Sequence, residues 1–172
     1  MGKRNEIGAH VKIAFANLRS VKALAEVNGW DDRNICSTLF YAAENLIMAT
    51  FKTEGIPNSQ WRGSAQHQID RMVDLLPDDC AQKDRMRCLD PLTAYATTYR
   101  YPTVSGVAPE PMKPDMSKLM ANELAQLLSE FVKHFGVDLK QDKPRSLHAK
   151  PFRAPKPEYD PEPEPEAVGP SP

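Results

Sequence analysis

Cysteine is scarce in this chain. Three occur in 172 residues, Cys36, Cys80 and Cys88. An odd, sparse set excludes a disulfide framework, and none stands at zinc-ligand spacing with a histidine, so reduced thiols in a cytoplasm are expected. No glycine-rich loop fit to cradle phosphates is present, nor a nucleophile elbow or metal-ligand motif; no metal and no cofactor are expected. No run approaches the ~18 apolar residues that a membrane span needs. The opening MGKRNEIGAH is charged and lacks the apolar core of a signal peptide. Glu6 stands where a myristoylation pattern requires Ser or Thr. An excess of charge of one sign is missing too. The formal net charge is −1, which removes the global basic bias that announces a nucleic-acid binder.

What is present is helical periodicity. From about Asn5 to Asn28, Ile7, Val11, Phe15 (or Ala14), Leu18, Val21 and Ala25 recur at three- and four-residue steps, one stripe of an amphipathic helix. Asn28-Gly29 is a natural stop. Asp31-Asp32 can cap a second helix, about Arg33 to Lys52, because an Asp at that place accepts from free backbone N–H groups. Ile35, Leu39, Ala42, Ala43, Leu46, Ile47 and Met48 make this helix apolar over more than half its circumference, which predicts a central position. Gly55-Ile56-Pro57-Asn58 ends it, and Gln60 to Gly63 reads as loop. With Ser64 as cap, Ala65 to Leu76 reads as a third helix carrying Ile69, Met72, Val73 and Leu76 on one side. Helical pattern resumes over Cys80 to Leu89, is interrupted at Pro91 and runs on through Tyr99. A proline-rich loop, Pro102 to Pro114, follows. Asp115 or Ser117 then caps a last helix, about Lys118 to Phe135, with Leu119, Met120, Leu124, Leu127, Leu128, Phe131, Val132 and Phe135 as a wide apolar face. No stretch alternates with period two. The expected fold is all-α, a four- to five-helix up-and-down bundle over residues 1–139.

Residues 140–172 differ in composition. Nine of the 16 prolines fall between Pro144 and Pro172, a basic block precedes an acidic one, and few apolar residues remain to bury. This segment is expected to be a disordered tail, either a binding arm or a solvated appendage.

Among polar residues, Arg62 and His67 come first as a candidate catalytic pair. Histidine can accept or donate a proton near neutrality, and arginine offers a permanently charged fork of donors that fits a phosphate. Five positions apart, across a loop and a helix start, they can share a cleft and act on a phosphodiester with the 2′-OH of RNA as internal nucleophile. The same pair also suits a structural role, a surface arginine near a helix-capping histidine. Arg100 and Tyr101, in Tyr-Arg-Tyr-Pro, can offer a phosphate contact and a stacking face, or pack the end of a helix. Glu44 lies on the most apolar helix and needs a partner: Arg100, or a narrow polar strip with Asn34 and Asn45.

Taken together, LFYAAENLIMATFKTEG, the His-containing QHQIDRMVDLLP and TAYATTYRYP, in that order before a final helix, resemble the HEPN family (higher eukaryotes and prokaryotes nucleotide-binding). The resemblance covers about Arg33 to Phe135. It implies a compact helical bundle, often a homodimer with a cleft between protomers. Many members are metal-independent ribonucleases, frequently toxins, that carry an Arg-x(4–6)-His motif, which Arg62 and His67 fit. Others bind nucleotides or serve as partners of nucleotidyltransferases. Two departures stand out. The family's motif usually has a polar residue after the arginine, where this chain has Gly63, and it usually lies later in the bundle. The resemblance therefore implies an RNA- or nucleotide-binding module of a toxin–antitoxin or defence system, or a non-catalytic helical partner of a nucleotidyltransferase or antitoxin, with no membrane involvement.

Overall fold

Three long helices frame the molecule. In this computed structural model, which describes residues 2–63, 65–96 and 110–140, they are α1 (Lys3–Asn28), α2 (Arg33–Glu54) and α6 (Pro114–Phe135). Between α2 and α6 lie four short elements: α3 (Asn58–Trp61), α4 (Ile69–Asp74), α5 (Lys83–Arg87) and a 3₁₀ helix, Asp90–Tyr95. Every regular element among the described residues is helical. Residues Met1–Lys140 form one compact unit. The segment with Arg100 and Tyr101, and the proline-rich tail from 141 onward, lie outside the described residues.

The stops and starts follow local chemistry. Asp32 caps α2 as expected, its side chain accepting from the Asn34 N–H at 2.7 Å. Gly55 and Gly136 close α2 and α6 in the left-handed conformation, which a residue without a Cβ adopts at little cost. Helix α6 starts earlier than the expected Lys118. Pro114 occupies the first turn, where a missing N–H is no loss, and Lys113 holds the cap position in place of Asp115 or Ser117. Ser117 is instead fully buried, with its hydroxyl 4.0 Å from the Cys36 thiol.

Glu6 pairs with Lys52 at 2.9 Å and His10 with Asn45 at 3.0 Å, so α1 and α2 form an antiparallel hairpin. Arg4 donates to the Phe135 carbonyl at 3.0 Å, which sets the end of α6 beside the start of α1. The Cys36–Ser117 contact joins the starts of α2 and α6, so these two helices run the same way. Helix α2 is central: Ile35, Leu39, Phe40, Ala42, Ala43, Leu46, Ile47 and Phe51 are all shielded from solvent. Truncating Phe40 or Phe51 to alanine would cost about 3–5 kcal/mol, lost transfer energy plus the cavity left behind. The α1 stripe takes Ala14 rather than Phe15 into the core, with Ile7, Val11 and Val21.

The middle of the chain departs from expectation. A single turn, α3, takes in Gln60 and Trp61 of the expected loop, and in place of one helix over Ala65 to Leu76 only Ile69–Asp74 is regular, as α4. Gly63 at φ 102° and His67 at φ 65° cannot belong to a right-handed helix. Ile69, Met72, Val73 and Leu76 are nevertheless buried together, as their spacing requires. The start of α4 is capped from a distance, the Ile69 N–H donating to the Thr93 hydroxyl at 3.0 Å. Likewise, the helix expected over Cys80 to Leu89 is regular only over Lys83–Arg87 and tightens into the 3₁₀ helix where Pro91 removes an N–H and crowds the preceding turn. Arg85 ties this region to α6, its Nε 2.5 Å from Glu123 and its Nη1 2.6 Å from Glu130. Leu119, expected on the apolar face of α6, is 57% exposed.

Candidate functional site

Glu44 sits on α2 within its apolar surface and is almost completely buried. A carboxylate in that position needs a hydrogen-bond partner, because losing hydration without one is costly. The partner is His67. Its Nδ1 lies 2.7 Å from Glu44 Oε1, while its side chain remains 44% exposed against 6% for Glu44. The Phe40 ring lies beside the imidazole, with centroids 6.4 Å apart.

The backbone pays for this placement. His67 is the non-glycine residue among those described that holds a positive φ, in the left-handed region. For an L-residue that conformation costs about 1–2 kcal/mol. Such outliers persist where surrounding structure over-determines them. Here the constraints are the bond to Glu44 on one side and the start of α4, two residues on, on the other. An ionised carboxylate only accepts, so Nδ1 carries the proton of the bond, and Nε2 of the neutral ring is left as an acceptor. Among the described residues Nε2 has no hydrogen-bond partner. A buried acid that orients an imidazole through one nitrogen is an arrangement that general bases also use.

Arg62 ends α3 and is exposed. Its guanidinium stacks over the Trp61 ring, 5.6 Å from the centroid, and makes no ion pair among the described residues. It lines a cavity of about 800 Å³ at the open end of the α1–α2 hairpin, together with His10, Lys52, Asn58, Trp61 and Gln66. His67 is not among the residues lining that cavity. A second cleft, about 760 Å³, lies between the end of α2, the segment before α5 and the end of α6, with Glu54, Asp79, Glu130, Lys133 and His134 on its walls.

The sequence marks Glu44 as an acid in need of a partner and His67 as a catalytic candidate, but not their pairing. The expected strip with Asn34 and Asn45 does not form around Glu44: the Asn45 carboxamide is engaged with His10 and the Tyr41 carbonyl. The other expected partner, Arg100, lies outside the described residues. The available signal was the burial demand itself, since an acid on an apolar helix calls for the nearest polar residue on a neighbouring segment. His10 has no ligand-like companions in the sequence, and the structure gives it Asn45 and a cavity wall.

The described part of the chain is thus an all-α unit with a carboxylate–imidazole pair on its central helix. No family model matches the chain, and neither a curated protein nor a solved structure matches it.

Proposed function

We propose that this chain is a HEPN-like helical module that cleaves RNA without a metal ion, as an endoribonuclease of a toxin–antitoxin or defence system, working as a homodimer. The observation that carries this reading is the Glu44–His67 bond, 2.7 Å long, on a side chain whose far nitrogen has no partner among the described residues. The all-α unit and the Arg-x4-His spacing are consistent with it.

In this scheme His67 Nε2 takes the proton of a ribose 2′-OH. The 2′ oxygen bonds to the adjacent phosphorus, and the bond from phosphorus to the 5′ oxygen breaks. The imidazolium returns its proton to that leaving oxygen. The products are a 2′,3′-cyclic phosphate and a 5′-hydroxyl end. Glu44 stabilises the imidazolium as it forms, and Arg62 offsets charge on the phosphoryl oxygens. Arg100 and Tyr101 enter the same proposal as phosphate and stacking contacts. A positioned base of this kind contributes roughly 10²–10⁴-fold to a rate. The test is digestion of a structured RNA by the purified chain. Cleavage should continue in excess chelator, leave cyclic phosphate ends and disappear in His67→Ala. Undiminished cleavage by that variant ends the proposal.

A second reading has one observation in its favour. Met116 and Leu119 on α6 are 41% and 57% exposed, an apolar pair on an otherwise well-packed helix. That suits a non-catalytic helical partner of a nucleotidyltransferase or antitoxin. Under this reading the double variant Arg62→Ala, His67→Ala keeps full partner binding.

A further inference from the structure

We propose that the outer face of α1 is the surface through which two copies of this chain pair, helix against helix and antiparallel. The buried stripe of α1 starts at Ile7 and advances by alternating steps of four and three residues. A second stripe with the same stepping lies two positions on: Ala9, Ile13, Ala16, Ser20, Ala23 and Val27. Two positions turn about 200° around a helix, so this stripe faces away from the core. All of its residues are exposed, Ile13 by 48% and Val27 by 82%. The solvent face of an amphipathic helix ordinarily carries charge, and this stripe carries none over about 27 Å.

The stepping is that of a coiled-coil seam, with two inward positions in every heptad. One kind of position holds Ile13, Ser20 and Val27; the other holds Ala9, Ala16 and Ala23. In an antiparallel pair, positions of the first kind meet positions of the second. With the two-fold axis at the level of Leu18, Ile13 faces the partner's Ala23, Val27 faces the partner's Ala9, and Ser20 faces the partner's Ala16. Each large side chain thus meets an alanine, and small residues meet at the middle, where the helices can approach closely. The same register sets Lys12 beside the partner's Glu26, and the symmetry repeats that pair. Arg19 falls on the axis beside its own copy, but its guanidinium lies over the Phe15 ring, 5.9 Å from the centroid, which draws it off the seam. A parallel pair would instead set Ile13 on the partner's Ile13 and Lys12 beside the partner's Asn17, with no opposite charges meeting. Size and charge together select the antiparallel arrangement.

One pair of helices buries less area than a standard stable interface, so a weak, reversible dimer is expected. Ala9 also lines the cavity that Arg62 lines, so in this register the partner's Val27 borders each of the two cavities. The inference goes beyond the homodimer proposed above, because it assigns the surface, the direction and the register, and it does not depend on RNA cleavage.

The experiment is sedimentation velocity of the full chain from micromolar to millimolar concentration, with four sets of variants. Ala16→Arg puts a long charged side chain into the seam. It should raise the dissociation constant roughly tenfold or more with an unchanged helical spectrum, since Ala16 is exposed in the single chain. Lys12→Glu and Glu26→Lys should each weaken association severalfold, and the two together should restore it. Lys22→Ala lies off the seam and should leave association as it was. On a Cys88→Ser background, mixed Ala9→Cys and Val27→Cys chains should link by a disulfide on mild oxidation, whereas Val27→Cys alone should not. Association kept by a chain that cleaves no RNA leaves this inference standing and removes only the ribonuclease. A dimer indifferent to Ala16→Arg, a double charge exchange that restores nothing, or self-linking of Val27→Cys overturns the inference and leaves the homodimer to another surface. A chain that stays monomeric at millimolar concentration overturns both.

Discussion

Replacing His67 by alanine strands a carboxylate that is 6% exposed on the central helix. Breaking a fully buried pair by removing one member costs about 3–5 kcal/mol. His67 is 44% exposed, so water enters the space it leaves, and the expected loss falls to about 1–3 kcal/mol. For a chain of this size each kcal/mol moves the melting temperature by roughly 2–4 °C, so the middle of that range is about 6 °C. His67→Gly breaks the same bond but releases the left-handed backbone at φ 65°, and should be the less harmful change by up to about 1 kcal/mol. Glu44→Leu removes the buried charge. On that background, His67→Ala should cost almost nothing, a coupling of about 1–3 kcal/mol in the double-mutant cycle. Urea unfolding followed by far-ultraviolet circular dichroism supplies all the values. The reasoning fails if His67→Ala costs as much on the Glu44→Leu background as in the wild-type chain, or if it lies within about 0.5 kcal/mol of wild type, the ordinary range for a surface change.

Thiol chemistry should distinguish the cysteines: in the folded chain Cys88, which is exposed, reacts promptly with a disulfide reagent, whereas Cys36, fully buried, reacts only on unfolding. Burial raises the Cys36 thiol above its ordinary pKa of 9.0, so its contribution to stability is complete below that value and is lost as pH climbs from there through the folded one; urea midpoints should fall on the alkaline side, and less so in Cys36→Ala measured against its own neutral value. At the acid end, the hydrogen bond and charge of Lys52 hold the Glu6 carboxyl below its ordinary 4.5, so its contribution is present above 4.5 and is lost as pH falls through the lower folded value. Glu6→Gln should flatten that limb of the stability profile, and an acid limb identical to wild type would show that the pair contributes nothing.

The long helices were legible because each carries its own signal. Helix α2 has Asp32 at one end, Gly55 at the other and an unbroken apolar surface between, so its expected span of Arg33 to Lys52 falls two residues short of the observed Arg33–Glu54. The short elements carry no such independence. Their periodicity identifies what is buried, as with Ile69, Met72, Val73 and Leu76, but the turns that start and stop them are fixed elsewhere. Thr93 caps Ile69 from 24 positions away, and Lys83 reaches back to the Leu76 carbonyl at 2.7 Å. Isolated helices of this length are marginal in water, so tertiary bonds of this kind decide where they begin. The pairing of Glu44 with His67 was hidden for the same reason. It spans 23 positions and requires a backbone conformation that a histidine rarely adopts.

The irregular stretch from Arg62 to Gln68 therefore addresses α2 at more than one level. His67 meets it at Glu44, and Arg62 shares a cavity with Met48 and Lys52. Four and eight residues correspond to about 6 and 12 Å along a helix axis. Glu44 and Met48 are near neighbours on one face, one turn apart, whereas Lys52 stands a further turn away. A ligand confined to the Arg62 cavity can be held without the imidazole, and an imidazole on Glu44 can work without that cavity. Only an extended ligand, a strand with successive phosphates, would reach both along this surface. In the proposed ribonuclease, Arg62 would then serve as much to hold the strand beside the reacting phosphate as to stabilise charge upon it, and its loss would act on substrate binding, while loss of His67 would act on the chemical step.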